Sequence, residues 1–389
     1  ATLSLTGGTI NINQTISGSS SSGSLGITLD AQTINSNYLM TVNGGALDVT
    51  TVNASTLGAV AGSGQFNLHG YGITLNDSRN GNYTGATTID SGATLQLNYG
   101  ALGGDITNNG TLFFYNPQTI NYAGVISGTG ALRQDYGALY LTGANTYAST
   151  TTINSGTLRI GNNGTTGSIN SASNVAINSS SLELYRSNAT TIANNISGTG
   201  SVSILENGTS TAKGAAVTFT GTNTYTGRTY LGNHTTLQLG NGGTTGSLAS
   251  DSYIGIAYGA TLKLNRSDDV TLANYIYNNG SHGVSYDSGR WQNNVIQAGT
   301  GTTTLSNASN NWRGTATINE GTLKFTGAVG NSENYIINNG KSLLFDSNSN
   351  QDFNNLSGTG TFTKSGTGTL TLNDSRNGNY TGATTIDSG

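Results

Sequence analysis

The sequence predicts an all-β solenoid, in which short strands stack turn upon turn, and three observations support this. The nineteen residues TLNDSRNGNYTGATTIDSG at 74–92 occur again, letter for letter, at 371–389. Three weaker relatives of this segment lie between the two copies, at 141–160, 219–239 and 305–325. Apolar and polar residues alternate along most of the chain, and no sustained helical periodicity occurs. Self-similarity of this kind is typical of repeat proteins, which grow by stacking similar units.

The repeats share a skeleton that contains one aromatic residue. An apolar residue is followed by an Asn-rich polar run, the aromatic residue, a small or Gly position, alternating Thr and Ile, and a Leu-x-Leu pair. The aromatic residues are Tyr83, Tyr147, Tyr225, Trp312 and Tyr380. A repeated aromatic residue is typical of packing inside a turn of the solenoid. A spaced row of exposed rings that stacks on sugars is the alternative, and these five residues are the candidates for it.

Pairs of apolar residues that flank a single residue mark the strands. Side chains alternate between the two faces of a strand, so both members of a pair lie on one face. The residue between them is often polar, which predicts one buried and one solvent-facing side. We expect the paired side chains to point inward and to stack between turns. The pairs are Leu3 and Leu5, Leu47 and Val49, Leu95 and Leu97, Leu158 and Ile160, Leu182 and Leu184, Leu237 and Leu239, Leu262 and Leu264, Leu323 and Phe325, and Leu343 and Phe345.

Asn-Gly dipeptides follow many of the strands. Both residues tolerate a positive φ, which a tight change of direction requires. In an antiparallel protein the same dipeptides would indicate β-hairpins, and a meander of hairpins is the alternative to the solenoid. The repetition of a long module favours the solenoid. The asparagines concerned are Asn43, Asn109, Asn163, Asn207, Asn241, Asn279 and Asn339.

The repeat is clearest as a module of about 80 residues. GNNGTTGSI starts at Gly161, and the similar GNGGTTGSL starts at Gly240. Arg186 and Arg266 follow equivalent strands, and we expect both on the solvent-facing side. We expect four modules at about 75–140, 141–218, 219–304 and 305–371, followed by the start of a fifth. Divergent strands at 1–74 precede them in one continuous solenoid. At ~20 residues per turn, the chain would form about nineteen turns.

Composition narrows the class of protein. Of 389 residues, 58 are Gly and only 8% are charged, but 19 Tyr and 8 Phe supply a buried face and so argue against disorder. There is no Cys, which rules out disulfides and thiolate metal sites. A net charge of −4 without any basic run argues against nucleic acid as a partner. No apolar stretch reaches the length of a membrane span, so direct membrane insertion is not expected.

The residues that could carry chemistry do not form a recognisable catalytic or metal-binding pattern. The 18 acidic residues are scattered, and Asp268 and Asp269, the one adjacent pair, should point to opposite faces of a strand. The three histidines, His69, His234 and His282, are far apart in sequence. We therefore expect no enzyme activity, no catalytic residues, no metal and no cofactor.

Three segments carry a resemblance to a known family. NTYASTTTINSGTLRIG (145–161), NTYTGRTYLGNHTTLQLG (223–240) and GTGTFTKSGTGTLTL (358–372) resemble the passenger-associated repeats of AIDA-like autotransporter adhesins of Gram-negative bacteria. The similarity covers roughly residues 64–389. It implies a right-handed parallel β-helix that a C-terminal membrane domain displays at the bacterial cell surface. It also implies binding to itself, or to glycans or proteins of a host or surface, and we expect the chain to be a piece of a longer protein.

Two functions follow from this reading. The first is an adhesin, because a long, weakly charged face of Thr, Asn, Ser and Gly offers many small contacts that add up. The second is a structural subunit of an extracellular fibre, sheath or surface layer, because the terminal IDSG and the initial ATLSL would continue the repeat if copies met end to end. Uncovered terminal strands would favour such end-to-end association.

Overall fold

The computed structural model describes residues 2–18, 26–205, 215–279, 293–373 and 379–388. Asn207 and His282, both named above, lie outside the described residues. The chain divides into two compact units, 1–183 and 184–389. Both consist of short β-strands, and one short 3-10 helix, Ser78–Asn82, lies in the first unit.

The first unit is built from short strands that alternate with tight corners. The division between the two units falls within the last strand of this unit. Its strands are β1 (Thr2–Ile12), β2 (Ile16–Gly18), β3 (Gly26–Ser36), β4 (Leu39–Val42), β5 (Ala46–Thr51), β6 (Ser55–Leu57), β7 (Ala59–Ala61), β8 (Gln65–Gly70), β9 (Gly72–Leu75), β10 (Thr87–Ile89), β11 (Thr94–Leu97), β12 (Ile106–Asn108), β13 (Thr111–Tyr122), β14 (Ile126–Ser127), β15 (Ala131–Leu141), β16 (Thr151–Ile153), β17 (Thr157–Gly164), β18 (Val175–Ile177) and β19 (Ser181–Arg186).

The second unit follows the same plan. Its strands are β20 (Thr190–Ile192), β21 (Ile196–Gly198), β22 (Ser201–Ile204), β23 (Ala216–Phe219), β24 (Thr229–Leu231), β25 (Thr236–Leu239), β26 (Tyr253–Ile256), β27 (Thr261–Leu264), β28 (Val270–Leu272), β29 (Tyr275–Asn278), β30 (Asn294–Gln297), β31 (Thr302–Leu305), β32 (Arg313–Ile318), β33 (Thr322–Phe325), β34 (Asn331–Ile337), β35 (Ser342–Asp346), β36 (Gln351–Phe353), β37 (Leu356–Gly358), β38 (Thr361–Ser365), β39 (Leu370–Leu372) and β40 (Thr384–Ile386).

Strands one turn apart pair in parallel. Strand β5 pairs with β3 and β8, and β25 pairs with β23 and β27, all in parallel register. The prediction of an all-β parallel solenoid is confirmed. The hairpin meander is not found among the described strand pairs. Right-handedness and continuity as one solenoid stay predictions.

The two units together hold about 17 turns rather than the expected nineteen. The turns differ in length, because some corners carry longer segments. Strand β17 ends at Gly164 and the next strand begins only at Val175. Residues in register on neighbouring turns are accordingly 17 to 33 positions apart.

The core is formed by the inward side of these strands. Leu47 and Val49 stack on Ile27 and Leu29, and all four side chains are fully buried. The other predicted pairs are buried in the same way, so their inward orientation is confirmed.

The pair Leu3 and Leu5 is the exception, and its predicted burial is wrong. The Leu3 side chain is 40% exposed and that of Leu5 is half-buried. Strand β1 pairs with β3 and has no second registered partner among the described strands. These two side chains are therefore packed from one side only.

One corner of the first unit is lined by glycine in five successive turns, at Gly64, Gly85, Gly104, Gly124 and Gly143. A Cβ atom on Gly85 would lie 1.9 Å from the carbonyl oxygen of Gly64, and one on Gly104 would lie 1.8 Å from that of Gly85. No side chain fits at such distances. The backbones of neighbouring turns can approach this closely only because these residues are glycine.

Candidate functional site

The repeated aromatic residues lie in the interior of the turns. Tyr83, Tyr147, Tyr225 and Trp312 are fully buried, whereas Tyr380 is half-buried. The first four rings pack against the core and present no face to solvent. The alternative of a sugar-stacking row at these positions is therefore incompatible with the structure for those four residues.

The buried tyrosines keep a hydrogen-bond partner inside the turn. The hydroxyl of Tyr147 lies 2.6 Å from Oγ1 of Thr151, and that of Tyr225 lies 2.6 Å from Oγ1 of Thr229. Burial raises the pKa of the Tyr83 phenol to about 12 and also raises the pKa of Tyr147 and Tyr225, because the charged phenolate loses its hydration. These phenols are neutral structural groups at physiological pH.

Buried asparagines precede the aromatic residues, and their role was not predicted from the repeat pattern. The side-chain oxygen of Asn145 accepts from the backbone N–H of Ile126 at 2.9 Å, and that of Asn310 accepts from Ile276 at 2.9 Å. Asn80 binds the N–H of Val60 in the same way at 3.0 Å. Each amide thus links the backbones of neighbouring turns. The recurring spacing of asparagine two or three residues before the aromatic residue was the available signal.

In the described part of the chain, the acidic residues and histidines do not cluster in one site, and Asp268 and Asp269 each contact a single partner. Arg266 lies 2.6 Å from Asp268, and its hydrogen bond lowers the pKa of that carboxyl group. Asp269 instead accepts from the backbone N–H of Thr302 at 2.7 Å. Among the described residues, no group of three or more His, Asp or Glu side chains is placed to hold a metal ion.

Two histidines lie within the described ranges, and each meets a single partner side chain. Nδ1 of His69 lies 2.6 Å from a carboxylate oxygen of Asp90, and both side chains are partly exposed. His234 makes an edge contact with the ring of Tyr258, with ring centres 5.3 Å apart. The two histidines belong to different units, and neither is paired with a nucleophile.

A small cavity of about 180 Å³ lies in the second unit beside Arg266. Leu239, Leu264 and Leu272 line its apolar part. The Arg266 side chain is only 16% exposed, so its expected place on the solvent-facing side is wrong. Its guanidinium is partly covered because it donates to the backbone carbonyls of Gly246 at 3.1 Å and Thr244 at 2.5 Å. A cavity of this size holds no more than about one small ring.

The outer face of the first unit carries a continuous polar column. Thr28, Asp48, Asn67, Thr88 and Thr107 lie at matching positions on five successive turns. They alternate with buried residues along each strand and are half-buried or exposed. The amide of Asn67 donates to the Asp48 carboxylate at 2.8 Å. The column therefore offers regularly spaced polar groups with a single charge.

A second polar row crosses three turns at a corner of the same unit. Nε of Arg133 donates to Asp135 at 2.9 Å, the amide of Asn154 donates to the same carboxylate at 2.7 Å, and Asn178 donates to the Asn154 oxygen at 3.0 Å. Each side chain is held by a neighbour from the same or an adjacent turn. We call these four hydrogen-bonded residues, Arg133, Asp135, Asn154 and Asn178, the corner row.

Exposed aromatic residues lie next to the corner row. Tyr115 and Tyr136 occupy matching positions on β13 and β15, and their rings stack with centres 5.6 Å apart. Phe113 contacts Tyr115 edge to face at 6.2 Å, and the Arg133 guanidinium lies 4.5 Å from the centre of the Phe113 ring. We call Phe113, Tyr115 and Tyr136 the aromatic cluster. Its two tyrosines have the exposed rings that the buried repeat aromatics lack, whereas Phe113 is half-buried.

The fold and its polar outer faces define a class of protein, a β-solenoid built from sequence repeats. The particular repeat is identified by a family model: residues 61–97, 134–160, 295–325 and 362–389 match the passenger-associated-transport-repeat. Four segments of the chain thus match this repeat, and the resemblance to autotransporter passengers is confirmed at that level. The narrower AIDA-like assignment stays a prediction. No curated protein and no solved structure matches the chain.

The matched repeat and the β-solenoid together are consistent with an autotransporter passenger, a kind of protein that is secreted and displayed at the cell surface. Within the described ranges, the chain has no helix of the length and apolar character that crossing a bilayer would need.

Proposed function

We propose that this chain acts as an adhesin, the attachment surface of an autotransporter passenger, and binds copies of itself or molecules on a host or other surface. The observation that supports the proposal is the column of regularly spaced polar side chains at Thr28, Asp48, Asn67, Thr88 and Thr107. Matching groups recur on each of these five turns, about 4.8 Å apart.

The physical argument rests on the addition of weak contacts. A side chain that is already held by its neighbour, as Asn67 is by Asp48, loses less conformational freedom on binding. One charge over five turns means that two such faces repel each other little. Contacts repeated along a rigid surface add up, so a face of weak sites can hold firmly.

The test uses beads coated with the full chain, and it measures their aggregation and their attachment to epithelial cells. The triple variant Asn67→Lys, Thr88→Lys and Thr107→Lys places three positive charges on the column. We expect aggregation of the beads to be lost at low salt, because the charged faces then repel. It should partly return at ~1 M salt, where the screening length falls to about 3 Å.

A matched control places three lysines at the exposed corner residues Asn37, Asn53 and Ser91. It adds the same net charge away from the column, so it should aggregate like the parent. Equal loss in both variants would attribute the effect to net charge. Beads of the parent that neither aggregate nor attach, while the free chain forms regular filaments in electron microscopy, would overturn the proposal in favour of a structural fibre.

A further inference from the structure

We infer that the aromatic cluster and the corner row together form a binding site for a neutral glycan, with a pyranose ring placed against the tyrosines. The inference rests on the proposed attachment function and deepens it by naming the class of ligand and its site. All the residues involved lie in the first unit and within the described residues.

The first observation is the exposure of the two tyrosines. The Tyr115 and Tyr136 side chains are 47% and 48% exposed, although each has the apolar surface that usually favours burial. Within the described part of the chain, neither phenol hydroxyl has a hydrogen-bond partner. The pair therefore presents ring surface and two free hydroxyl groups to solvent.

The second observation is the local irregularity that places Tyr115 there. Phe114 pairs with Gln134 and Thr119 pairs with Ala138, so four residues of β13 face three residues of β15. The extra residue is a β-bulge, which bends the strand and redirects a side chain. Pro117 lies within the bulge and has no N–H to donate to a neighbouring strand. Bulges of this kind are frequent beside functional sites.

The third observation is the corner row beside the rings. Arg133, Asp135, Asn154 and Asn178 present a guanidinium, a carboxylate and two amides that are fixed by hydrogen bonds to one another. A carboxylate and an amide oxygen accept hydrogen bonds, and the guanidinium and amide nitrogens donate them, so the row can serve both roles of a hydroxyl group. Its spacing follows the turns, about 4.8 Å from one to the next.

These features match a neutral sugar better than other ligands. A pyranose has one apolar face of C–H groups, which suits an aromatic ring, and a rim of hydroxyl groups, which suits the corner row. The single charges of Arg133 and Asp135 cancel, so the site has no net attraction for a phosphate or a cation. Binding sites that combine aromatic surface with a few fixed polar groups take ligands of mixed character.

The test measures binding of the full chain to soluble cellohexaose, chitohexaose, laminarihexaose and a neutral galactan by saturation-transfer NMR and calorimetry. We expect at least one of these probes to bind. The double variant Tyr115→Ser and Tyr136→Ser should weaken that binding roughly tenfold or more, because both ring surfaces are removed. The variant Asn154→Ala should weaken it by roughly threefold, since one contact of the row is lost.

Two controls separate the site from general effects. Tyr253→Ser removes a tyrosine of similar exposure, 55%, in the second unit, and it should bind like the parent. Tyr115→Phe and Tyr136→Phe keep the rings and should retain most of the affinity. All variants are compared with the parent by circular dichroism and thermal unfolding, and the substitutions at the exposed tyrosines should leave both unchanged.

The outcomes distinguish this inference from the proposed function. If no probe binds, or the double serine variant binds like the parent, the glycan site is refuted while bead attachment still stands or falls on its own. If a probe binds through the tyrosines and the beads fail to attach, the site stands and the adhesin proposal falls. If the serine variants abolish aggregation of the beads but leave sugar binding intact, the cluster is a contact between copies of the chain, which also refutes the inference.

Discussion

Replacing the buried Asn145 by alanine should destabilise the first unit locally by about 3 kcal/mol, within a range of ~2–6 kcal/mol. The side chain is 2% exposed and makes three hydrogen bonds. Its oxygen accepts from the Ile126 N–H at 2.9 Å, and its nitrogen donates to the carbonyls of Gly143 at 3.1 Å and Ser168 at 2.9 Å.

The magnitude follows from what each partner loses. The Gly143 carbonyl still accepts from the Ser168 N–H, and the Ser168 carbonyl still accepts from the Asn145 N–H. Each carbonyl therefore loses one of its two hydrogen bonds, at a net cost of about 0.5–1.5 kcal/mol for each. The Ile126 N–H loses its asparagine acceptor in a buried place, which adds ~1–3 kcal/mol.

Hydrogen exchange of the full chain, followed by mass spectrometry, is the suitable assay, because a solenoid can open locally without global unfolding. Peptides that contain Ile126 should exchange roughly a hundredfold faster in Asn145→Ala. The matched control is Asn98→Ala, which removes a solvent-facing amide bonded to Asn76 at 2.9 Å and should change stability by less than about 0.5 kcal/mol. Equal exchange in the two variants would refute the idea that buried asparagines fasten the turns.

Three further outcomes are expected. Leu237→Asp should cost several kcal/mol and lower the unfolding temperature, because it buries an unpaired charge at a fully buried position; a parent-like melting curve would contradict this. Gly104→Val should prevent native packing of its turn, since its Cβ would lie 1.8 Å from the Gly85 carbonyl, whereas Gly81→Ala, with its nearest neighbour at 4.0 Å, should be tolerated. Alkaline pH should destabilise the chain: the folded pKa of Tyr83 is raised from 10.0 to about 12, so its contribution is complete below pH 10 and is lost as pH rises towards 12. A spectrophotometric titration of the parent and Tyr83→Phe, read together with circular dichroism, measures this, and tyrosines that all ionise near pH 10 without loss of structure would contradict it.

The sequence predicts the strands and the core well, because both depend on a period of two residues that can be read locally. Leu237 and Leu239 alternate with polar neighbours, and nothing beyond the strand itself is needed to orient them. Leu3 has the same local pattern and is exposed, because burial also requires a neighbouring turn. Tyr83 and Tyr380 make the same point, since they lie in identical segments and differ in burial.

The candidate site could not be predicted from the sequence, because it depends on the register between turns. Asp135 and Asn154 are 19 residues apart, whereas Asn154 and Asn178 are 24 apart, although each pair meets in the same way. No single period connects them, since the length of each corner sets the offset. The pairing of Tyr115 with Tyr136 further depends on a β-bulge that cannot be predicted from the local sequence.

The parallel ladders between neighbouring turns also bear on how the chain folds. Residues in register on neighbouring turns are 17 to 33 positions apart in a chain of 389, and most are nearer 20, so the mean sequence separation of contacts is of order 0.06 of the length. Among the described strands, each turn pairs only with its neighbouring turns, so no strand pairing requires a residue from a distant part of the polypeptide. Such a chain can zip up progressively while the rest is still extended, so growth of the native structure can keep pace with a polypeptide that emerges through a narrow exit a few residues at a time.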